Sequence, residues 1–468
     1  MHRMSLRPAV SLAAKIVGFA GLLVLGALLA GRSSAVPVEL PARAVPFHHG
    51  IAYVSWWHDF YESSGSDSSL ALLAATNADW VSILVTGYQD TETSTSIYQD
   101  PQRTPSDAGV LQAIDRAHAL GMHVFLKPHV DCQNGAWRGV IEFTNESDWA
   151  AWFASYRAFL NHYAELAAAA GVEELCVGCE FCRTVHRSAE WLAVIADVRA
   201  RFSGPITYAA NWDNYTAVTF WDSLDYAGID GYFELTDLLD PTPAQLLAAW
   251  APWEADVADF AQTSGHSIVF TEIGYRSVDG ANIHPWEWTT SGTVDLQEQV
   301  DCYEAALQTF CDRDYFRGFF WWDWEPDPDH GGPTDNGYSP HGKPAADVLA
   351  DWYGVTSVAD PGIPRLGGLQ WLVPAPLRAG QEIVFRWEAG DRGSRAPGAP
   401  GELGIEVYDL QGRGLSRLCP QPRGERCFCV RWPAATDAGL GLSPGAYFLR
   451  LCDGEQAYPA MRVLYVGR

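Results

Sequence analysis

Eight short runs rich in β-branched and aromatic residues recur along the first three quarters of the chain. They are "GIAYVSWW" (50–57), "DWVSILVTGY" (79–88), "MHVFLKPHVD" (122–131), "ELCVGCEF" (174–181), "PITYAANW" (205–212), "DYAGIDGYF" (225–233), "SIVFTEIGY" (267–275) and "GFFWWDW" (318–324). Amphipathic segments lie between them. "DWAAWFASYRAFLNHYAELAAAAG" places apolar residues at 149, 152, 153, 156, 159, 160 and 163, the spacing of one helix face. "DAGVLQAIDRAHALG" and "VDLQEQVDCYEAALQTF" read the same way. Eight units of strand followed by helix predict a (β/α)8 TIM barrel over residues 48–353. An open, doubly wound sheet is the competing topology. No Gly-rich phosphate loop or dinucleotide fingerprint follows any run, which counts against it.

The period changes after "GVTSVADPGIPRL" (354–366), a linker by its Pro and Gly content. Beyond it, "LQWLVPAP", "QEIVFRWEA", "GIEVYDLQGR", "CFCVRWP", "GAYFLRLCDG" and "AMRVLYVGR" alternate apolar and polar positions between turn signals. They predict a small all-β sandwich over 367–468, with "GDRGSRAPGAPGE" (390–402) as a loop within it. At the other end, Arg3, Arg7 and Lys15 precede the apolar run "IVGFAGLLVLGALLAG", and Ser33 and Ala35 suit cleavage after Ala35. Residues 1–35 thus read as a signal peptide, and the mature chain is expected to be secreted or at the cell surface. An uncleaved membrane anchor is the alternative, for which the run is short. No Cys follows the run to carry a lipoprotein anchor.

Composition narrows the partners. The net charge of −26 argues against nucleic acid. Residues 365–468 carry 13 Arg and 10 acidic residues, so the remainder, with 18 basic and 47 acidic residues, stands at −29. Lysine occurs only at 15, 127 and 343, against 28 Arg, so each Lys draws notice. The 20 Trp supply flat apolar surfaces of the kind that stack on sugar rings.

In a barrel the chemistry gathers where the strands end. The run ends hold Trp56 and Trp57; Lys127, His129 and Asp131; Glu180; Asn211 and Trp212; Asp230 and Tyr232; Glu272; and Trp322, Asp323 and Trp324. They include no Ser elbow, and a single His is too few for a zinc site of the usual composition. Glu180 and Glu272 end the fourth and seventh runs. Two glutamates across a barrel mouth are equipped to cleave an acetal, one donating a proton to the leaving oxygen and the other attacking the anomeric carbon. Lys127 and His129 point to the mouth if their strand keeps its register. Tyr232 is placed to hydrogen-bond the nucleophile. Trp57, Trp212, Trp286 and Trp288 are candidates for outer sugar subsites.

The spacing of Cys176, Cys179, Cys182 and His186 looks like a metal motif. Residues three apart on a regular strand face opposite sides, however, so Cys176 and Cys179 are not expected to share an ion. Cys132 and Cys182 fall just past neighbouring strand ends and are candidates for a disulfide. Cys302 and Cys311 sit too far apart on one helix to bridge. Cys419, Cys427, Cys429 and Cys452 allow three pairings.

The stretches "LKPHVDCQNGAWRGVI", "CVGCEF", "ITYAANWDNY", "FWDSLDYAGIDGYFELT", "VFTEIGYRSVDGANIHPWEW" and "GFFWWDWEPDPDHGG" together resemble glycoside hydrolase family 113, a clan A family of TIM barrels that includes retaining β-mannanases. The resemblance implies an exported retaining hydrolase of β-1,4-linked mannan or manno-oligosaccharides. Glu180 would be its acid/base, Glu272 its nucleophile, and Trp322 a platform for the reactive sugar. It implies no metal and no cofactor, a β-linked poly- or oligosaccharide as partner, and a monomer. Much of the clan carries Asn before the acid/base, where this chain has Cys179, so the sugar 2-hydroxyl contact falls to another residue, Asn211 or His129. A β-glucanase or other clan A β-glycosidase, and an inactive carbohydrate-binding protein, are the rival readings. The C-terminal "VYDLQGR", "SPGAYFLRL" and "RVLYVGR" resemble immunoglobulin-like modules of the hook-capping and type IX sorting families. That implies contact with secretion machinery or the cell surface, with carbohydrate binding or plain stabilisation as alternatives.

Overall fold

The computed structural model describes residues 47–289 and 291–356, and in the C-terminal region 369–372, 382–387, 403–408, 413–424, 427–432, 445–453, 456–457 and 461–465. Residues 1–35, expected to be a signal peptide, and most of the expected linker lie outside the described residues. Strands β1 (His48–Tyr53), β2 (Trp80–Gln89), β3 (His123–Cys132), β4 (Glu174–Cys179), β5 (Ile206–Asn211), β6 (Ala227–Asp230), β7 (Ile268–Ile273) and β8 (Phe316–Trp324) pair in chain order, and β8 pairs with β1 to close a barrel. Every pairing is parallel. The strands read as near-continuous apolar runs because both faces are covered, one by the barrel interior and one by helices.

The helices are α1 (Ser64–Ala74), α2 (Asp107–Ala119), α3 (Glu146–Ala170), α4 (Ser188–Arg199), α5 (Pro243–Ser264), α6 (Leu296–Phe310) and α7 (Pro344–Thr356). Their limits follow from local chemistry. The Asn145 side chain accepts from Asp148 N to start α3, and Gly171 ends it at φ 72°. Thr242 and Gln245 form a capping box at α5 with Pro243 in the first turn. The buried face of α3 is made by Trp149, Trp152, Phe153, Tyr156, Phe159, Leu160 and Tyr163, the positions the periodicity selects. Among the described residues no helix is long and apolar enough to cross a membrane.

Two expectations change. No α-helix follows β5. Residues 212–226 instead make two short 3-10 turns, Tyr215–Ala217 and Trp221–Ser223. This connection has no long amphipathic run, and it buries Tyr215, Phe220 and Trp221 individually. Also, Cys176 and Cys179 do not face opposite sides. The pairing of β4 with β5 shifts register between them, and both thiols join Phe125, Ala209, Tyr226, Val269 and Phe320 in one buried cluster. A bulge inserts one residue and so reverses the alternation.

Beyond the barrel, the C-terminal strands form two antiparallel sheets, as a small all-β sandwich requires. One orders Gln421–Gly424, Cys427–Arg431, Glu382–Trp387 and Leu369–Leu372; the other is built on Leu403–Tyr408 and Gly445–Asp453. Gln421–Gly424 and two further short strands, Gly414–Leu418 and Gln456–Ala457, were not separate runs in the hydropathy pattern. The free thiols include Cys132 and Cys182, so the 132–182 disulfide is not formed.

Barrel closure depends on Gly318, which stands opposite His48 at φ +144°. A Cβ there would lie 2.3 Å from His48 O. Gly318→Ala is therefore expected to lower the unfolding free energy by about 2–4 kcal/mol. Urea unfolding followed by Trp fluorescence measures it, and an unchanged midpoint would show that the β8–β1 seam can relax.

Candidate active site

Glu180 follows the last residue of β4 and takes a left-handed conformation, φ 54°, uncommon for a residue with a side chain. Its N–H donates to Ala209 O (2.8 Å), and its carbonyl accepts from Cys182 N (2.8 Å). With the bulge upstream, this turn brings Cys179 and Glu180, neighbours in sequence, to the same mouth. Such a conformation is worth about 1–3 kcal/mol of strain, held by the surrounding structure. Glu180 Oε2 accepts from Trp137 Nε1 at 3.0 Å and lies 3.5 Å from Arg138.

Glu272, on β7, is bound at both oxygens. Lys127 Nζ donates to Oε1 (2.5 Å) and Tyr232 Oη to Oε2 (2.8 Å). Lys127, fully buried on β3, also donates to Asp230 Oδ1 (3.0 Å), which accepts from Thr271 Oγ1 (2.8 Å) as well. The Cys179 thiol donates to the other oxygen, Asp230 Oδ2, at 3.3 Å. Arg138 binds Asp131 and reaches Cys179 Sγ at 3.5 Å. Cys179 Sγ thus lies within 4.8 Å of a carboxylate oxygen of each of Glu180, Asp230 and Glu272.

The charges explain the titration. Burial and then the negative charge of Asp230 raise Glu180 above the ordinary carboxylate range, partly offset by Arg138 and the Trp137 N–H. The same two causes push Glu272 up to about 8, against the pull of Lys127. Burial disfavours charge on Lys127, but Asp230 and Glu272 more than compensate and hold it well above the usual lysine value. The two glutamates titrate as a pair, and the donors decide where a shared proton sits. Glu272 has an N–H or O–H donor on each oxygen. Glu180 has its donors on Oε2 alone, which leaves Oε1 for the proton. Burial raises both groups, so the pair holds one proton at neutral pH, and the donors favour that proton on Glu180 and the charge on Glu272.

His129 is fully buried, with Nε2 3.5 Å from Glu272 Oε1. Its ring lies parallel to Trp322 at 6.3 Å, and burial keeps it neutral by lowering its pKa well below the usual value. Trp322 also contacts Trp56, and the Trp322–Asp323 peptide is cis. Asn211 ends β5 and donates to Asp213 Oδ1 (2.6 Å). Trp57 stands at the rim, 57% exposed. Trp212 is partly buried and packs edge-on against Phe233 and Trp253. Trp286 and Trp288 are exposed on the β7–α6 connection, where Trp286 Nε1 donates to Glu234 Oε1 (3.1 Å).

Tyr232, Asp230 and Glu272 are thus brought together from the ends of β6 and β7, with Lys127 from the middle of β3. Trp137 and Arg138 were not singled out from the sequence. Their signal was position, since they sit in the β3–α3 connection, which must pass over the mouth. Among the described residues, the groups that could ligate a metal are His129–Cys179–Glu272 and Cys179–Glu180–Asp230. Neither includes Cys176, Cys182 or His186, whose ring packs edge-on against Trp149. The Lys127 ammonium already supplies the positive charge there and opposes a cation.

The family model for Glycoside Hydrolase Family 113 matches residues 54–343. Among solved structures, the chain is similar to the family 113 β-mannanase of Alicyclobacillus acidocaldarius in complex with ManMIm. That match has 30% identity and a TM-score of 0.62, covering 67% of this chain and 99% of the other. It is also similar to a family 113 β-1,4-mannanase solved as a complex, at 28% identity and a TM-score of 0.61, covering 66% and 99%. No curated protein matches.

Lys127→Met would leave Asp230 and Glu272 buried without their cation, a loss of about 3–5 kcal/mol where both are ionised. Protonation of Glu272 relieves this. Without the cation that pulls it down, the pKa of Glu272 rises further, so the carboxyl is neutral in acid and the deficit develops as pH rises above the ordinary carboxylate range. Urea unfolding of the variant at pH 5 and pH 9 is expected to show the larger deficit at pH 9. An equal deficit at both would show that Lys127 acts through packing alone.

Proposed function

The chain belongs to glycoside hydrolase family 113, and from that premise we propose that it hydrolyses β-1,4-linked mannan or manno-oligosaccharides with retention, through Glu180 and Glu272. The observation that carries this reading is the unequal treatment of the two carboxyls. Lys127 and Tyr232 hold both oxygens of Glu272, which favours the anion a nucleophile must be. Glu180 is shielded and has one oxygen free of donors, which favours the acid.

In the first step, Glu180 Oε1–H protonates the glycosidic oxygen as a carboxylate oxygen of Glu272 attacks the anomeric carbon. The bond to the leaving sugar breaks and a glycosyl ester forms. Glu272 is then no longer charged, so the pKa of Glu180 falls and its carboxylate accepts a proton from water. Water attacks the anomeric carbon and frees Glu272. Lys127 stabilises the carboxylate as it leaves. Trp322, parallel to His129 at the β8 end, is the proposed platform for the reactive sugar. The mannan preference rests on the resemblance to solved family 113 mannanases. The reading includes export with cleavage after Ala35, on the evidence of the charged start and apolar run.

Reducing-end release from mannan, glucomannan and β-glucans tests the substrate. Faster release from a β-glucan than from mannan would overturn the mannanase assignment. Glu272→Ala is expected to reduce kcat by at least about three orders of magnitude while substrate still binds. Azide then restores turnover by filling the vacated space, giving a glycosyl azide of inverted configuration. Near-normal turnover would remove Glu272 from its role. Glu180→Ala is expected to slow unactivated oligosaccharides far more than aryl glycosides with good leaving groups, because only the former need the proton. Equal losses on both would remove Glu180 as the acid.

A further inference from the structure

The proton on Glu180 has to sit on the oxygen that faces the leaving group. The indole of Trp137 is the nearest donor to that carboxyl, with its N–H 3.0 Å from Oε2. We propose that Trp137 is a positioning residue for Glu180: its N–H fixes which carboxyl oxygen carries the proton, and its exposed ring face receives the leaving-group sugar. This rests on the glycoside hydrolase reading above and adds to it a residue and a subsite.

The first half follows from donor chemistry. An indole N–H donates and cannot accept, and the same holds for the Arg138 guanidinium, 3.5 Å from the same oxygen. Oε2 is therefore an acceptor in both protonation states of Glu180. The proton is confined to Oε1, and the carboxylate left after donation keeps its bond to Trp137. The indole is also held in place. Its ring lies across Gly139, where a Cβ would stand 2.4 Å from the ring carbons. Gly139 O accepts from Arg183 N at 3.3 Å, which ties the β3–α3 connection to the segment after Glu180.

The second half follows from exposure. Trp137 is 45% exposed although its one polar atom is engaged, so the open surface is ring. That ring adjoins the group that protonates the glycosidic oxygen. A sugar attached through this oxygen comes to lie beside the indole, and the apolar face of a pyranose suits an aromatic plane.

The charged and titratable groups facing Glu180 are Asp230 from β6, Lys127 from β3, Glu272 from β7, Arg138 from the Trp137 connection, and Cys179 and Cys182 on either side. Substitution of Trp137 leaves all of them in place. Removing its N–H takes away a bond that favours the charged form, so the pKa of Glu180 rises.

The test compares wild type, Trp137→Phe and Trp137→Ala on a manno-oligosaccharide and on a β-manno-oligosyl fluoride, whose leaving group has no ring and needs little acid help. In Trp137→Phe, the alkaline limb of kcat/KM for the oligosaccharide is expected to move up by about half to one pH unit, with KM little changed. In Trp137→Ala, KM for the oligosaccharide is expected to rise about five- to tenfold as well. On the fluoride, kcat/KM, which reports only the first step, is expected to change far less than on the oligosaccharide in both variants, and KM is expected not to rise. An unmoved limb in Trp137→Phe overturns the N–H role. A KM rise on both substrates, or none on either, overturns the ring-face role. Wild type inactive on both substrates would overturn the hydrolase reading itself, a different outcome from an active wild type with an unmoved limb.

Discussion

The ammonium of Lys127 is fully buried and bonded to carboxylates from two other strands. Burying such a charge costs several kcal/mol unless its partners are well placed. Here they are: Asp230 from β6 and Glu272 from β7, with Thr271 bracing Asp230. The parallel register of β6 with β7 pairs Asp230 with Glu272 and so sets the two carboxylates side by side. The pair in turn decides the state of the rest of the mouth. One lysine faces two carboxylates, and the nearest arginine is engaged by Asp131. A further ionised carboxyl would be uncompensated, so Glu180 is pushed toward its acid form.

Placing Glu180 required β4 to depart from regularity. On an even strand Cys179 and Glu180 would face opposite sides. The bulge and the left-handed turn put the thiol on Asp230 and the carboxyl on Trp137, each within reach of the lysine's partners. The strained residue is the one proposed as the acid, and the surrounding fold over-determines its backbone conformation.

Much of this was legible in the residues. The alternation of strand and helix periods gave the barrel because each strand is buried on both faces and each helix on one. Strand ends gave Asp230, Tyr232 and Glu272 because a parallel barrel collects those ends on one side, and Lys127, from the middle of β3, reaches them across the interior. The scarcity of lysine was informative too. Both Lys127 and Lys343 are buried ion-pair partners, the latter with Asp335. What escaped was set by irregular backbone. Alternation counts assume no bulge, so they misplaced Cys179 relative to Cys176. The two 3-10 turns after β5 leave no periodic trace. Trp137 belongs to a connection whose path hydropathy does not encode.

The bulge in β4 has an outcome for redox chemistry. It turns two thiols into the barrel, where burial raises Cys176 to about 12 and Cys179 well above the usual thiol value. Oxidants and disulfides react with the thiolate, and at neutral pH almost none is present. Burial at the barrel mouth thus disfavours the form of Cys179 that sulfenylation and mixed-disulfide formation require.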